Sequence, residues 1–153
     1  MILAAVNDTP YDIVLFLHIV AVIISVGPVV AHPLLMLGEE QRGGDLQALA
    51  QKIVGLPTKV YMYAFIVAGI LGIGLISMSD DVISWGDPWI YLSLVVWVGA
   101  MGLQHGLLFP AERALAEGDT AAADKVKLAG AVFAGLVLIL VYFMVFKPGG
   151  GGL

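Results

Sequence analysis

At 153 residues, with a net charge of −5, 60% hydrophobic and 12% charged residues and a mean hydropathy of +0.99, the chain is too apolar for an ordinary water-soluble domain. The absence of cysteine excludes disulfides, thiolate metal sites, iron–sulfur clusters and thioether-attached haem, so any metal or cofactor must be held by His, Met, Tyr or carboxylate. The negative charge, with no basic patch or stacking platform, argues against nucleic acid as a partner.

The N-terminal stretch Met1 to Asp12 carries two aspartates and no Lys or Arg, so it lacks the positive region of a cleavable signal and is expected to be retained. Four apolar blocks follow, Tyr11 to Leu37, Val60 to Met78, Trp89 to Phe109 and Val126 to Phe146, each at or above the roughly 20 residues needed to cross a bilayer. With no alternating strand pattern, these blocks predict an all-α integral membrane four-helix bundle over residues 1–148. Its helices are expected at about 11–37, 58–78, 88–110 and 120–147, with a disordered Gly-rich tail at 149–153.

In the first block, Thr9 is placed to cap the helix, Pro10 to open it and Asp12 to meet its positive end. His18 lies in the outer half of this helix. His32 comes fourteen residues later, nearly on the same face but about 21 Å deeper, so the two cannot share one metal. Pro28 frees the carbonyl of Ile24 and predicts a kink beside Ser25, which stacks between the two histidines. The second block carries Gly69, Gly72 and Gly74. Asp87 and Pro88 repeat the start signal for the third helix, which holds Gly99, Gly102, His105 and Gly106. Glu112 is read as solvated charge at a helix end, and Gly118-Asp119 as a stop-then-start signal before a fourth helix with Gly130 and Ala134.

Six of the seven basic residues, Arg42, Lys52, Lys59, Arg113, Lys125 and Lys127, fall in or beside the first and third loops. The positive-inside rule makes these loops cytoplasmic and puts both termini on the non-cytoplasmic side of the inner (plasma) membrane. Asp8, Asp12, Asp80, Asp81 and Asp87, with Trp85 and Trp89 at interfacial positions, fall to the outer face. The two predicted helical hairpins also share a weak pattern. His32-Pro33-Leu34-Leu35-Met36 aligns with His105-Gly106-Leu107-Leu108-Phe109, then Gly44-Asp45 with Gly118-Asp119 across a one-residue gap, which would set His32 and His105 at one depth.

All three histidines sit in apolar blocks, where ionisable groups are costly and are candidates for function. His32 and His105, facing one another, could ligate a b-type haem, with Lys59, Arg113 and Lys127 near the leaflet where propionates would emerge. Met36, one turn after His32, and Met101, one turn before His105, could instead serve Cu(I). The competing reading is that each histidine is a hydrogen-bonded packing residue and the glycines only allow close helix contact. No hydrolytic triad, phosphate loop or His-Glu zinc motif is present.

Leu17-His18, Gly27, Pro33-Leu34-Leu35, His105 and the closing Val145-Phe146-Lys147-Pro148 together resemble a superfamily of small bacterial membrane proteins. It includes the haem-dependent HemJ-type protoporphyrinogen oxidases and the copper-resistance D-type proteins. The resemblance implies a four-helix bundle with b-type haem and places His18 at the family's Leu-His position. The chain departs from the oxidases in having Ser25 and Pro33-Leu34 where they carry a Trp and a Pro-Arg pair; losing that Arg removes a partner for a porphyrin carboxylate. The resemblance thus points to His18, the internal pattern to His32 with His105. The sequence leaves three functions open: a haem-b protein for electron transfer or porphyrin redox chemistry, an accessory subunit of a larger membrane complex or homo-oligomer, and a copper-handling protein.

Overall fold

The computed structural model describes residues 8–55, 58–80 and 82–150, apart from the side chains of Val29, Thr58 and Lys59; Asp81, most of the N-terminal stretch and tail residues 151–153 lie outside the described residues. All regular structure among them is helical: α1 (Thr9–Gln41), α2 (Leu46–Gly55), α3 (Thr58–Ser77), α4 (Pro88–Leu103), a π-helical turn (Gln104–Leu108), α5 (Phe109–Ala116) and α6 (Ala122–Phe146). Four helical stretches, Thr9–Gln41, Val60–Ser77, Pro88–Ala116 and Ala122–Phe146, are long and apolar enough to cross a membrane. Their outer surfaces carry large apolar side chains such as Phe16, Ile23, Val95 and Leu138, each 65–71% exposed, which fits a lipid surround and not water.

Helix ends follow local chemistry. α1 runs four residues past Leu37 and stops at Gly43, in the left-handed region at φ +66°. There the Gly43 amide donates to the Glu40 carbonyl (3.0 Å) and the Gly44 amide to that of Glu39 (2.9 Å), a Schellman closure. α5 closes the same way at Gly118, φ +106°, with Gly118 donating to Leu115 (3.1 Å) and Asp119 to Ala114 (3.0 Å). An aspartate then starts the next segment in both places: Asp45 Oδ1 accepts from the Ala48 amide at 3.0 Å, and Asp119 Oδ1 from the Ala121 amide at 3.1 Å. The two closures differ in register: the left-handed glycine is Gly43, one residue before the Gly44-Asp45 pair, but Gly118 itself in the Gly118-Asp119 pair. At the start of α1, Asp8 takes the cap position expected of Thr9.

Two features depart from the expected boundaries. The first loop contains α2, which turns Ala50 and Ile53 into the core and leaves Gln51 and Lys52 exposed. The third span continues to Ala116 through the π-helical turn, where the Phe109 amide donates to the Gln104 carbonyl five residues back. Pro110, which has no amide hydrogen to give, follows immediately. One extra residue in a turn rotates everything beyond it by about 100°.

α1 packs against α3 and α6, α4 against α6, and α2 against α5. The half holding the α1–α2 and α5–α6 connections is solid, built on Met36, Leu108, Leu115, Val126 and Phe133, each at most 2% exposed. Toward the other end α3 and α4 are bridged by Trp97, whose indole lies on Gly69 and donates to the Phe65 carbonyl at 3.2 Å. A Cβ at position 69 would overlap that ring. Gly69→Ala is expected to destabilise the bundle by about 1–3 kcal/mol through overpacking, read as an earlier loss of helical signal on titration with SDS.

Candidate functional site

The hollow end of the bundle holds a half-open cavity of about 580 Å³, walled mostly by apolar residues of α1, α3, α4 and α6. The N-terminal parts of α1 and α4 and the C-terminal parts of α3 and α6 meet there, from Tyr11, Trp89 and Ile76 to Met144. His18 stands in its wall, 8% exposed. Its Nδ1 is 2.8 Å from the Ala68 carbonyl oxygen. A carbonyl can only accept, so Nδ1 carries the proton and Nε2 presents a lone pair. Among the described residues nothing bonds Nε2. Gly72 leaves room for this orientation: a Cβ there would lie 3.3 Å from His18 Cε1 and 3.6 Å from Nδ1, close enough that the ring would have to give by a few tenths of an ångström.

Lys147 is the one cation in the cavity's lining among the described residues. It ends α6 in a left-handed conformation, φ 44°, and sets its ammonium 5.9 Å from the centroid of the Trp89 ring. The chain then turns back through Gly149 and Gly150 onto Pro88 and Trp89. Trp89 Nε1 and Ser93 Oγ, one turn apart on α4, are buried without hydrogen-bond partners among the described residues.

The other two histidines are not part of this cavity, and they do not face each other. His32 is buried in the solid half, with Nδ1 3.3 Å from Glu112 Oε1 and the Tyr61 ring edge-on at 6.4 Å. His105 is exposed on the π-helical turn, where Nδ1 donates to the Met101 carbonyl at 2.8 Å and the ring packs on Phe109. It borders a shallow groove of about 430 Å³ that also takes in Arg113. Met36 is a core residue, 1% exposed, and Met101 is half-buried above His105, so the two sulfur–imidazole pairs are set apart. Lys127 bonds Glu40 and Asp124, and the Lys59 side chain lies outside the described residues. Among the described residues no three of His, Asp and Glu are grouped to hold a metal by themselves.

Glu112, read from sequence as solvated, is 3% exposed and paired. The missed signal is helical register: Gln104, Leu108, Glu112 and Leu115, three or four residues apart, all face inward once the third helix is carried to Ala116. The Ala68 carbonyl and Tyr61 had no such signal. No protein-family model, curated protein or solved structure matches the chain.

Proposed function

We propose that this is a multi-pass membrane protein that binds b-type haem against His18, in the cavity at the hollow end of the bundle. The observation that carries the reading is the state of His18: a buried imidazole in the wall of an apolar cavity, held by a backbone carbonyl at Nδ1, with no hydrogen-bond partner at Nε2 among the described residues. Backbone-oriented imidazole is how proteins fix a metal-ligating tautomer and keep its free nitrogen basic. A volume of about 580 Å³ falls within the range of ligand pockets, and the apolar walls suit a flat macrocycle.

Bound haem would supply one-electron chemistry at its iron. The chain's part is to present Nε2 of His18, to exclude water with the walls from Phe65 to Leu140, and to offer Lys147 to a carboxylate at the mouth. That assigns the acidic edge of the ligand to the Lys147 end, away from Lys59, Arg113 and Lys127. The ligand set is then one histidine, in place of the pair His32 and His105.

Charge supports an orientation with the cavity end and both termini on the non-cytoplasmic side of the inner membrane. Arg42, Lys52 and Arg113 are exposed at the solid end, whereas Asp8, Asp80 and Trp85 are exposed at the other. An accessory role has one observation of its own: Gly99, Gly102 and Gly106 are exposed, and a Cβ at each would meet nothing, as on a helix awaiting a close partner.

The test is an absorbance spectrum, oxidised and dithionite-reduced, of protein purified in mild detergent from haem-replete cells. A Soret band with sharp reduced α and β bands is expected. A colourless, helical preparation would sink the haem reading and put the accessory role first.

A further inference from the structure

The solid half of the bundle contains an acid–base pair that the haem reading does not use. His32 on α1 and Glu112 on α5 are 6% and 3% exposed, and one hydrogen bond of 3.3 Å joins Nδ1 to Oε1. A buried carboxylate without a partner is costly, so the contact is a condition of folding for Glu112. Among the described residues the one side-chain hydrogen bond of either group is this Nδ1–Oε1 contact, so Nε2 and Oε2 are not engaged by it. The pair can therefore gain or lose a proton at either atom while the Nδ1–Oε1 bond stays in place.

The surroundings leave that proton to the pair. Among the described side chains of α3, the titratable one recorded against the pair is Tyr61, edge-on to His32. From α6, Gly130 lies on Pro33, and Lys127 is occupied by Glu40 and Asp124. From α2, Gln51 bonds the Ala116 carbonyl of α5, and Lys52 is exposed. Arg113, next to Glu112, is exposed as well.

The position of the pair along α1 gives it a direction. His18, Ser25 and His32 are all buried and recur every seven residues, so they share one face at intervals of about 10 Å. Between them, Pro28 and Pro33 leave the carbonyls of Ile24 and Val29 without their helical donors. Gln104, eight residues before Glu112 on the π-helical turn, is fully buried with both amide atoms unpaired. Acidic and imidazole groups in series at membrane depth are the usual parts of proton relays.

We propose that His32 and Glu112 form a proton-binding site inside the bundle, loaded from the basic end and serving the polar face of α1 that leads to the His18 cavity. On loading, a hydronium ion gives a proton to Nε2 or Oε2 and leaves as water, so the charge of the pair rises by one; on unloading the same N–H or O–H bond breaks and the proton returns to water. The site stands independently of what occupies the cavity.

The experiment is a ring-¹⁵N titration of full-length, ¹⁵N-histidine-labelled protein in lipid nanodiscs, with His32 assigned through His32→Gln. The His32 ring signals are expected to report a change of protonation as the pH is varied. In Glu112→Gln the proton concentration for half-occupancy is expected to rise at least tenfold, and Glu112→Asp is expected to recover most of that change. Unaltered His18 and His105 signals report that the fold is kept. Should Glu112→Gln not fold, wild-type protein decides: the infrared band of a protonated carboxyl and the His32 shift must change over one pH interval. A His32 ring that keeps one state throughout, or titrates identically in Glu112→Gln, would overturn the proposal.

Discussion

His18→Ala is expected to remove the Soret band and weaken haem retention by at least about 100-fold, whereas His32→Gln, whose amide can still donate to Glu112, and His105→Ala keep the wild-type spectrum. Losing a group that only orients a metal ligand already costs about 10–100-fold, and His18 is here the ligand itself. No substitute is at hand, because His32 is committed to Glu112 and His105 is exposed on the outer surface of the π-helical turn. The alanine variant should remain folded, since the ring is held by a single bond to the Ala68 carbonyl and borders an existing cavity. Retained circular dichroism with a lost spectrum is the expected pair of readings. A spectrum lost in a folded His32→Gln with His18→Ala unaffected would return the site to the solid half.

Gly130→Leu is expected to lower stability by about 3 kcal/mol, at the upper end of the usual overpacking penalty. A Cβ at 130 would overlap the Pro33 ring, and a proline ring has no rotamer by which to move aside. The clash would fall on the α1–α6 contact, one residue from His32, where the core is densest. Gly99→Leu is the control: a Cβ there meets nothing, so a change within about 0.5 kcal/mol is expected, as for other surface substitutions. Both are read from the SDS fraction that halves the helical signal. Equal effects at the two positions would mean that helix propensity, and not the Pro33 contact, sets the cost.

These two glycines show where sequence reading runs out. Gly99, Gly102, Gly106 and Gly130 look alike in the chain, as small residues in apolar helices. Gly130 takes a neighbouring helix against its backbone, while the other three face outward. The histidines divide in the same manner. Seven-residue spacing correctly puts His18, Ser25 and His32 on one face of α1, and depth counting separates His18 from His32. The pairing of His32 with His105 needed a rotation of the third helix that spacing could not supply, because the π-helical turn at Gln104–Leu108 shifts the register just where His105 stands.

What the sequence determined by itself is one-dimensional: four apolar spans, their approximate lengths, the Asp87-Pro88 start, the Gly-Asp stops near 44 and 118, and the segregation of basic from acidic loops. Such signals come from local backbone chemistry and from total apolar content, and both can be read without knowing any neighbour. The tertiary structure alone decided which face of each helix meets which neighbour, that α2 folds onto α5, and that His18 meets the Ala68 carbonyl beside Gly72. The physical reason is that lipid and protein core are about equally apolar. A membrane helix is therefore hydrophobic all round, and the amphipathic stripe that orients a helix in water is missing. Its rotation is set by fit, by Gly against Pro or indole and by a few buried hydrogen bonds, and that information exists only once the helices are together.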